Sequence, residues 1–162
     1  MNAAHLHLLV NHAPLFALLF AVPVLAYGVA RRDLGAWRAA VFLLVVGGVT
    51  GVVALRTGEP AEEFLEDQIE LVKARVHEHE ERAEVATILA IVAGALAPLA
   101  YWRRGRHEGL AGGLTLAAAL AAAGAMAWAS SAGGAIRHPE ELELATAAAA
   151  GARDGSDNAS RK

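Results

Sequence analysis

Four uncharged stretches constrain this chain more than any motif does. They cover residues 13–30, 39–55, 85–102 and 109–136, runs of 18, 17, 18 and 28 residues. A helix that crosses the hydrocarbon core of a bilayer needs about 20 mostly apolar residues, and runs of about 17–25 serve. The chain therefore predicts four spans. A soluble bundle is the competing reading, but its surface helices should each carry a polar stripe, and these stretches carry none. Composition agrees. Hydrophobic residues make up 56% of the 162 positions, with mean hydropathy +0.38, against roughly 45–50% in soluble domains. The first span is not read as a secretory signal, because no Lys or Arg precedes Arg31 and a signal peptide carries its positive charge ahead of the apolar run. Cysteine is absent, which removes disulfides and thiolate ligands from consideration.

Charge sets the expected topology. The link between the first two spans holds Arg31, Arg32 and Arg38, and that between the last two holds Arg103, Arg104 and Arg106. Short loops rich in Arg stay on the cytoplasmic side. Both termini are then expected outside, together with residues 56–84, which hold ten acidic side chains against four basic ones. Trp37 and Trp102 flank the inner ends, where interfacial aromatics are expected. Basic residues confined to a membrane edge argue against nucleic-acid binding. No nucleophile–base arrangement and no phosphate-cradling loop stand out, so an enzyme is not the expected reading.

The expected elements are spans near 5–30, 36–56, 84–103 and 109–133 within one domain of residues 1–144. Pro14 and Pro23 are candidates to kink the first span. "RTGEP" (56–60) reads as a helix stop, with Pro60 opening a new helix over 60–84 that leads into the third span. Gly133-Gly134 read as a break closing the fourth. Residues 145–162 are alanine-rich and then polar, and read as a disordered tail.

Six of the seven histidines fall at the outer end: His5, His7, His12, His77, His79 and His138. At about 1.5 Å per residue, His7 stands about 36 Å above Arg31, and His79 stands at the same height above Arg103. Glu62 and Glu63 join that layer if the second helix carries on through residues 56–60. His12 lies deeper, about 28 Å above Arg31. His79 continues an apolar helical stripe with Leu65, Ile69, Val72, Val76 and Ala83, whereas His77 points the other way. Histidines and carboxylates at membrane depth are costly and usually mark a functional site. Three jobs suit this set. Imidazoles on facing helices can clamp a haem iron; imidazoles with Glu59, Glu62 and Glu63 can hold Zn, Cu or Fe; or the same groups can relay protons. Glu-x-x-His and His-Glu-x-x-His spacings are both missing, which argues against di-iron and zincin chemistry.

His7-x-x-x-x-His12-x-Pro14 resembles the start of an uncharacterised domain family of small bacterial four-span membrane proteins. The likeness extends to His79 at the head of the third span, to Gly133-Gly134…His138 closing the fourth, and to "TGEPAEE" (57–63) and "HEER" (79–82). It covers about residues 5–140. Related domains sometimes stand beside iron–sulfur redox modules, so the resemblance implies haem and electron transfer. The resulting expectation is an all-α integral membrane four-helix bundle in the bacterial cytoplasmic (inner) membrane. It binds haem b, or failing that a transition metal, through His7, His12, His79 and His138, with Arg137 beside a haem propionate or an acid. Its expected partners are the lipid bilayer, a redox protein or complex, and a further copy of itself. The alternatives are a proton- or ion-coupled transporter or accessory subunit without a cofactor, and a purely structural membrane protein.

Overall fold

The computed structural model describes residues 2–66 and 73–137. Within them the chain forms α1 (Ala3–Val10), α2 (His12–Arg31), α3 (Leu34–Glu66), α4 (Lys73–Trp102) and α5 (Arg104–Arg137). Residues 138–162, including His138 and the expected tail, lie outside the described part.

Four segments are long and apolar enough to cross a membrane: Ala4–Arg31, Leu34–Phe64, Lys73–Trp102 and Gly109–Ile136. Only 28–33% of the most apolar window of each is buried within the bundle. The remainder faces outward, with Leu9 70% and Phe42 67% exposed. In water such surface would forgo a burial gain of about 25 cal/mol per Å². Against lipid nothing is forgone, so the outward apolar belt fits a membrane bundle better than the soluble alternative.

The helices form a closed ring. α2 packs on α3, α3 on α4, α4 on α5, and α5 returns to α2. Alanine builds much of the interior: Ala40, Ala86, Ala90, Ala93, Ala97, Ala119 and Ala122 are all fully buried. Lipid supplies no hydrophobic drive between helices, so attraction comes from close backbone packing, which small side chains permit. Glycine makes the closest approaches. A Cβ on Gly28 would stand 2.8 Å from the Trp37 nitrogen, and one on Gly94 would stand 2.9 Å from the Leu44 carbonyl oxygen. Thr50 and Thr115 donate their hydroxyls to carbonyls one turn back in their own helices, at 2.6 and 2.8 Å. This satisfies polar groups that lipid cannot. At the arginine-bearing end, Asp33 caps α3 by accepting from the Ala36 N–H at 2.8 Å, and Arg32 takes the left-handed conformation (φ 52°) that turns the chain.

The structure corrects four details of the sequence reading. The first span is broken at Asn11 instead of running whole from His5. Pro14 has no N–H to offer the Val10 carbonyl, and its ring crowds that carbonyl. The short α1 above the break rests mainly on α3. Second, residues 56–60 do not stop α3. The helix continues through Gly58 and Pro60 to Glu66, because a proline removes a single ladder bond and a membrane helix tolerates that loss where neighbours pack on it. The expected outer helix 60–84 is therefore divided: its first part belongs to α3 and its last part to α4, and residues 67–72 lie outside the described part. Third, α5 runs unbroken through Gly133-Gly134 to Arg137. Fourth, Trp37 is no interfacial residue. It is fully buried, edge-on to Tyr101 with ring centroids 6.1 Å apart, and its indole N–H has no hydrogen-bond partner among the described residues. Gly112 lies beside the ring, where a Cβ would stand 3.5 Å from Trp37 Cη2. Trp102, 82% exposed, keeps the expected interfacial character.

These contacts rank the glycines. Gly94→Ala pushes a methyl into backbone that can move only if a helix moves, and should destabilise the bundle by about 1–3 kcal/mol. Gly124→Ala meets nothing within 4 Å and should be neutral or stabilising, by up to about 1 kcal/mol from helix propensity. Thermal unfolding of the purified variants in one detergent separates the two.

Candidate histidine site

His7 is seated by α3. Its Nδ1 lies 3.1 Å from the Thr57 hydroxyl oxygen. Thr57 Oγ1 also lies 3.0 Å from each of the Val53 and Ala54 carbonyls, and the His7 ring bonds to the Ala54 carbonyl as well. With the Thr57 hydrogen turned to those carbonyls, His7 Nδ1 would donate to Thr57 Oγ1 and a neutral ring would keep its lone pair on Nε2. Gly58 completes the seat, since a Cβ there would stand 3.8 Å from His7 Cε1. The Thr-Gly pair that reads as a helix stop in the sequence is a resting place for an imidazole.

His79 is held in the same way by another helix. Its Nδ1 lies 2.9 Å from the Ala129 carbonyl oxygen of α5. A carbonyl only accepts, so Nδ1 again carries the proton and Nε2 is left as a lone pair. One turn further along α5, a Cβ on Gly133 would stand 3.0 Å from His79 Cε1 and 3.4 Å from each ring nitrogen. Glycine at 133 makes room for the ring. A Cβ on neighbouring Gly134 would meet nothing.

The two imidazoles occupy one layer. α3 and α4 pack antiparallel, with Gly48 against Ala90 and Gly51 against Thr87. Carrying that register outward brings Thr57, and with it His7, within about a helical turn of His79.

The other expected residues fall differently. His12 is exposed on the outer surface of α2. Its ring stacks on Phe16 with centroids 6.5 Å apart, and Phe16 stacks in turn on Phe20 at 6.3 Å. Glu59 and Glu63 are exposed, and Glu62 is half-buried with an interaction of its own. Among the described residues, no three His, Asp or Glu side chains gather closely enough to hold a metal ion. Arg137 ends α5 one turn beyond Gly133, and its side chain lies outside the description. His5 bonds locally to Asn2, at 2.7 Å. His77 is solvated, as its place off the apolar stripe predicts, and lies 3.3 Å from Glu81.

Sequence reasoning missed Thr57, Gly58, Gly133 and the Ala129 carbonyl as parts of the site. It also missed Arg75, whose Nη1 donates to the Ala135 carbonyl at 2.9 Å and caps the last turn of α5. The one available signal was glycine at heights matching the histidines; "TG" and "GG" had been assigned to chain breaks.

Fold and site together define an all-α membrane bundle with two seated histidines at one end. Comparison with family models, curated proteins and solved structures yields no match.

The seats are open to test by ¹⁵N NMR of histidine-labelled protein. Thr57→Val removes the acceptor from His7, and its ring should become a mixture of tautomers. Gly133→Ala should shift the His79 nitrogens, while Gly134→Ala leaves both rings unchanged.

Proposed function

We propose that this chain is a multi-pass protein of the bacterial cytoplasmic membrane, with both termini and the acidic ends of α3 and α4 outside, and that His7 and His79 hold a redox cofactor through Nε2. The observation that carries the reading is the matched pair of Nδ1 bonds. A ligating histidine characteristically donates its other ring N–H to a carbonyl, hydroxyl or carboxylate, which fixes the tautomer and aims the free nitrogen. Two such rings in one layer are the donor set of a six-coordinate haem iron. A Zn, Cu or Fe ion held by protein ligands alone calls for further donors, and the described residues do not bring a third to the pair. Haem b is therefore preferred over a bare ion. Bound haem supplies a one-electron couple. The chain contributes the two oriented imidazoles, the apolar bundle beneath them, and Arg137 at the end of α5 as a cation for a propionate. The role is electron transfer or redox sensing beside a partner protein or complex, with assembly of further copies of the chain as a possible form. The resemblance carried by His7, His12, Pro14 and His79 supports the same direction.

Purified protein should give a Soret band and, on reduction, sharp α and β bands. His7→Ala and His79→Ala should each abolish that spectrum, and His12→Ala, on the outer surface, should retain it. Absence of any band, with no stoichiometric metal by elemental analysis, would falsify the cofactor reading. The second reading, a proton- or ion-coupled transporter or accessory subunit, draws on the same free Nε2 lone pairs beside an acidic extension. It expects proton flux in liposomes that disappears in His7→Ala and His79→Ala with no cofactor present.

A further inference from the structure

At the arginine-bearing end, far from the histidines, one guanidinium is oriented and only partly used. Arg38 lies exposed on α3, and its Nε donates to the Tyr101 hydroxyl of α4 at 2.5 Å. Its guanidinium carbon lies 5.8 Å from the centre of the Tyr101 ring. Tyr101 is fixed in turn by its edge contact with buried Trp37. No bond to the two Nη groups of Arg38 occurs among the described residues. Nearby Arg31, Arg32 and Arg103 are exposed and form no ion pair there either. Asp33, the acid among them in sequence, directs an oxygen at the Ala36 N–H. The described rim gathers Arg31, Arg32, Arg38 and Arg103 beside a single acid, Asp33, with one guanidinium held in place. A guanidinium whose two Nη groups are free and whose orientation is fixed suits an oxygen pair of a phosphate.

The seam beneath Arg38 is apolar. α3 and α4 approach backbone to backbone where Gly94 meets Leu44 and Gly48 meets Ala90, so the line between them is shallow. Val45 borders it from α3 and Ile91 from α4, and Phe42, one helical turn from Arg38, is 67% exposed on α3. Trp102 stands at the same end of α4 as Tyr101. The Arg38 guanidinium thus stands above an exposed apolar surface along the seam. Free phosphate would use the first and leave the second bare. We propose that the α3/α4 seam binds an anionic phospholipid of the bilayer, its phosphate on Arg38 and an acyl chain along Phe42, Val45 and Ile91.

The test is quenching of Trp102 by lipids brominated in the acyl chain, in protein carrying Trp128→Phe and reconstituted in phosphatidylcholine vesicles. Brominated phosphatidylglycerol should quench at a mole fraction roughly tenfold lower than brominated phosphatidylcholine, because the choline ammonium offsets the phosphate charge and weakens its charge-assisted bond to Arg38. Arg38→Gln should remove that preference, and Tyr101→Phe should reduce it by releasing the guanidinium. Arg31→Gln, on the same rim but without the Tyr101 anchor, should keep it. The proposal is overturned if the two lipids quench alike in the parent protein, or if Arg38→Gln retains the preference. It is equally overturned if Arg31→Gln loses as much as Arg38→Gln, which would mean diffuse charge attraction. Displacement by inorganic phosphate at constant ionic strength would assign the site to the free anion instead.

Discussion

The hydrocarbon core of a bilayer offers no hydrogen-bond partners, and the rest of this structure follows from that constraint. Polar groups at membrane depth have to seek their partners within the protein, and the Trp37 indole N–H is an exception among the described residues. The helices satisfy their own backbones, and the threonine hydroxyls turn back onto their own carbonyls. The same requirement governs His7 and His79. Each ring enters the bundle only where another helix offers an oxygen to Nδ1. The seat and the tautomer are therefore one event: the bond that makes burial tolerable also decides which nitrogen is left free.

Close packing and site geometry share a second dependence, on the missing side chain of glycine. Gly28 lets α2 touch the backbone of α3 at Trp37, Gly94 lets α4 touch α3, and Gly133 admits His79. An alanine-rich interior cannot lock helices by interdigitating large side chains, so it relies on backbone proximity instead. That leaves little tolerance where a glycine faces backbone, and ample tolerance at Gly113, Gly124 and Gly134, where a Cβ would stand in open space. The two ends of the bundle then differ in chemistry on a common scaffold. One end presents two imidazoles bonded to neighbouring helices, and the other presents arginines above an apolar seam.

Much of this was legible in the residues. The four spans follow from uncharged run lengths alone, and the layer shared by His7 and His79 follows from counting along helices of constant rise. The errors have one source. Gly58, Pro60, Gly133 and Gly134 read as breaks because glycine and proline end helices in water, where freed backbone groups are hydrated. Between packed helices, a continuing helix is the cheaper solution. His12 was expected to need a partner within the protein at its depth. Its direction depends on how α2 rotates after the break at Asn11, which no count of residues supplies.

The sequence by itself determined the class: an all-α chain with four apolar helices, arginines gathered at one end and histidines at the other. These are consequences of transfer free energy and helix rise, which act residue by residue. Only the tertiary structure decided which oxygens His7 and His79 meet, that His12 is exposed, and that Trp37 lies inside. Those outcomes depend on the neighbouring helix, through a threonine hydroxyl, a backbone carbonyl and the space left by a glycine, and such contacts join residues about fifty positions apart in the chain.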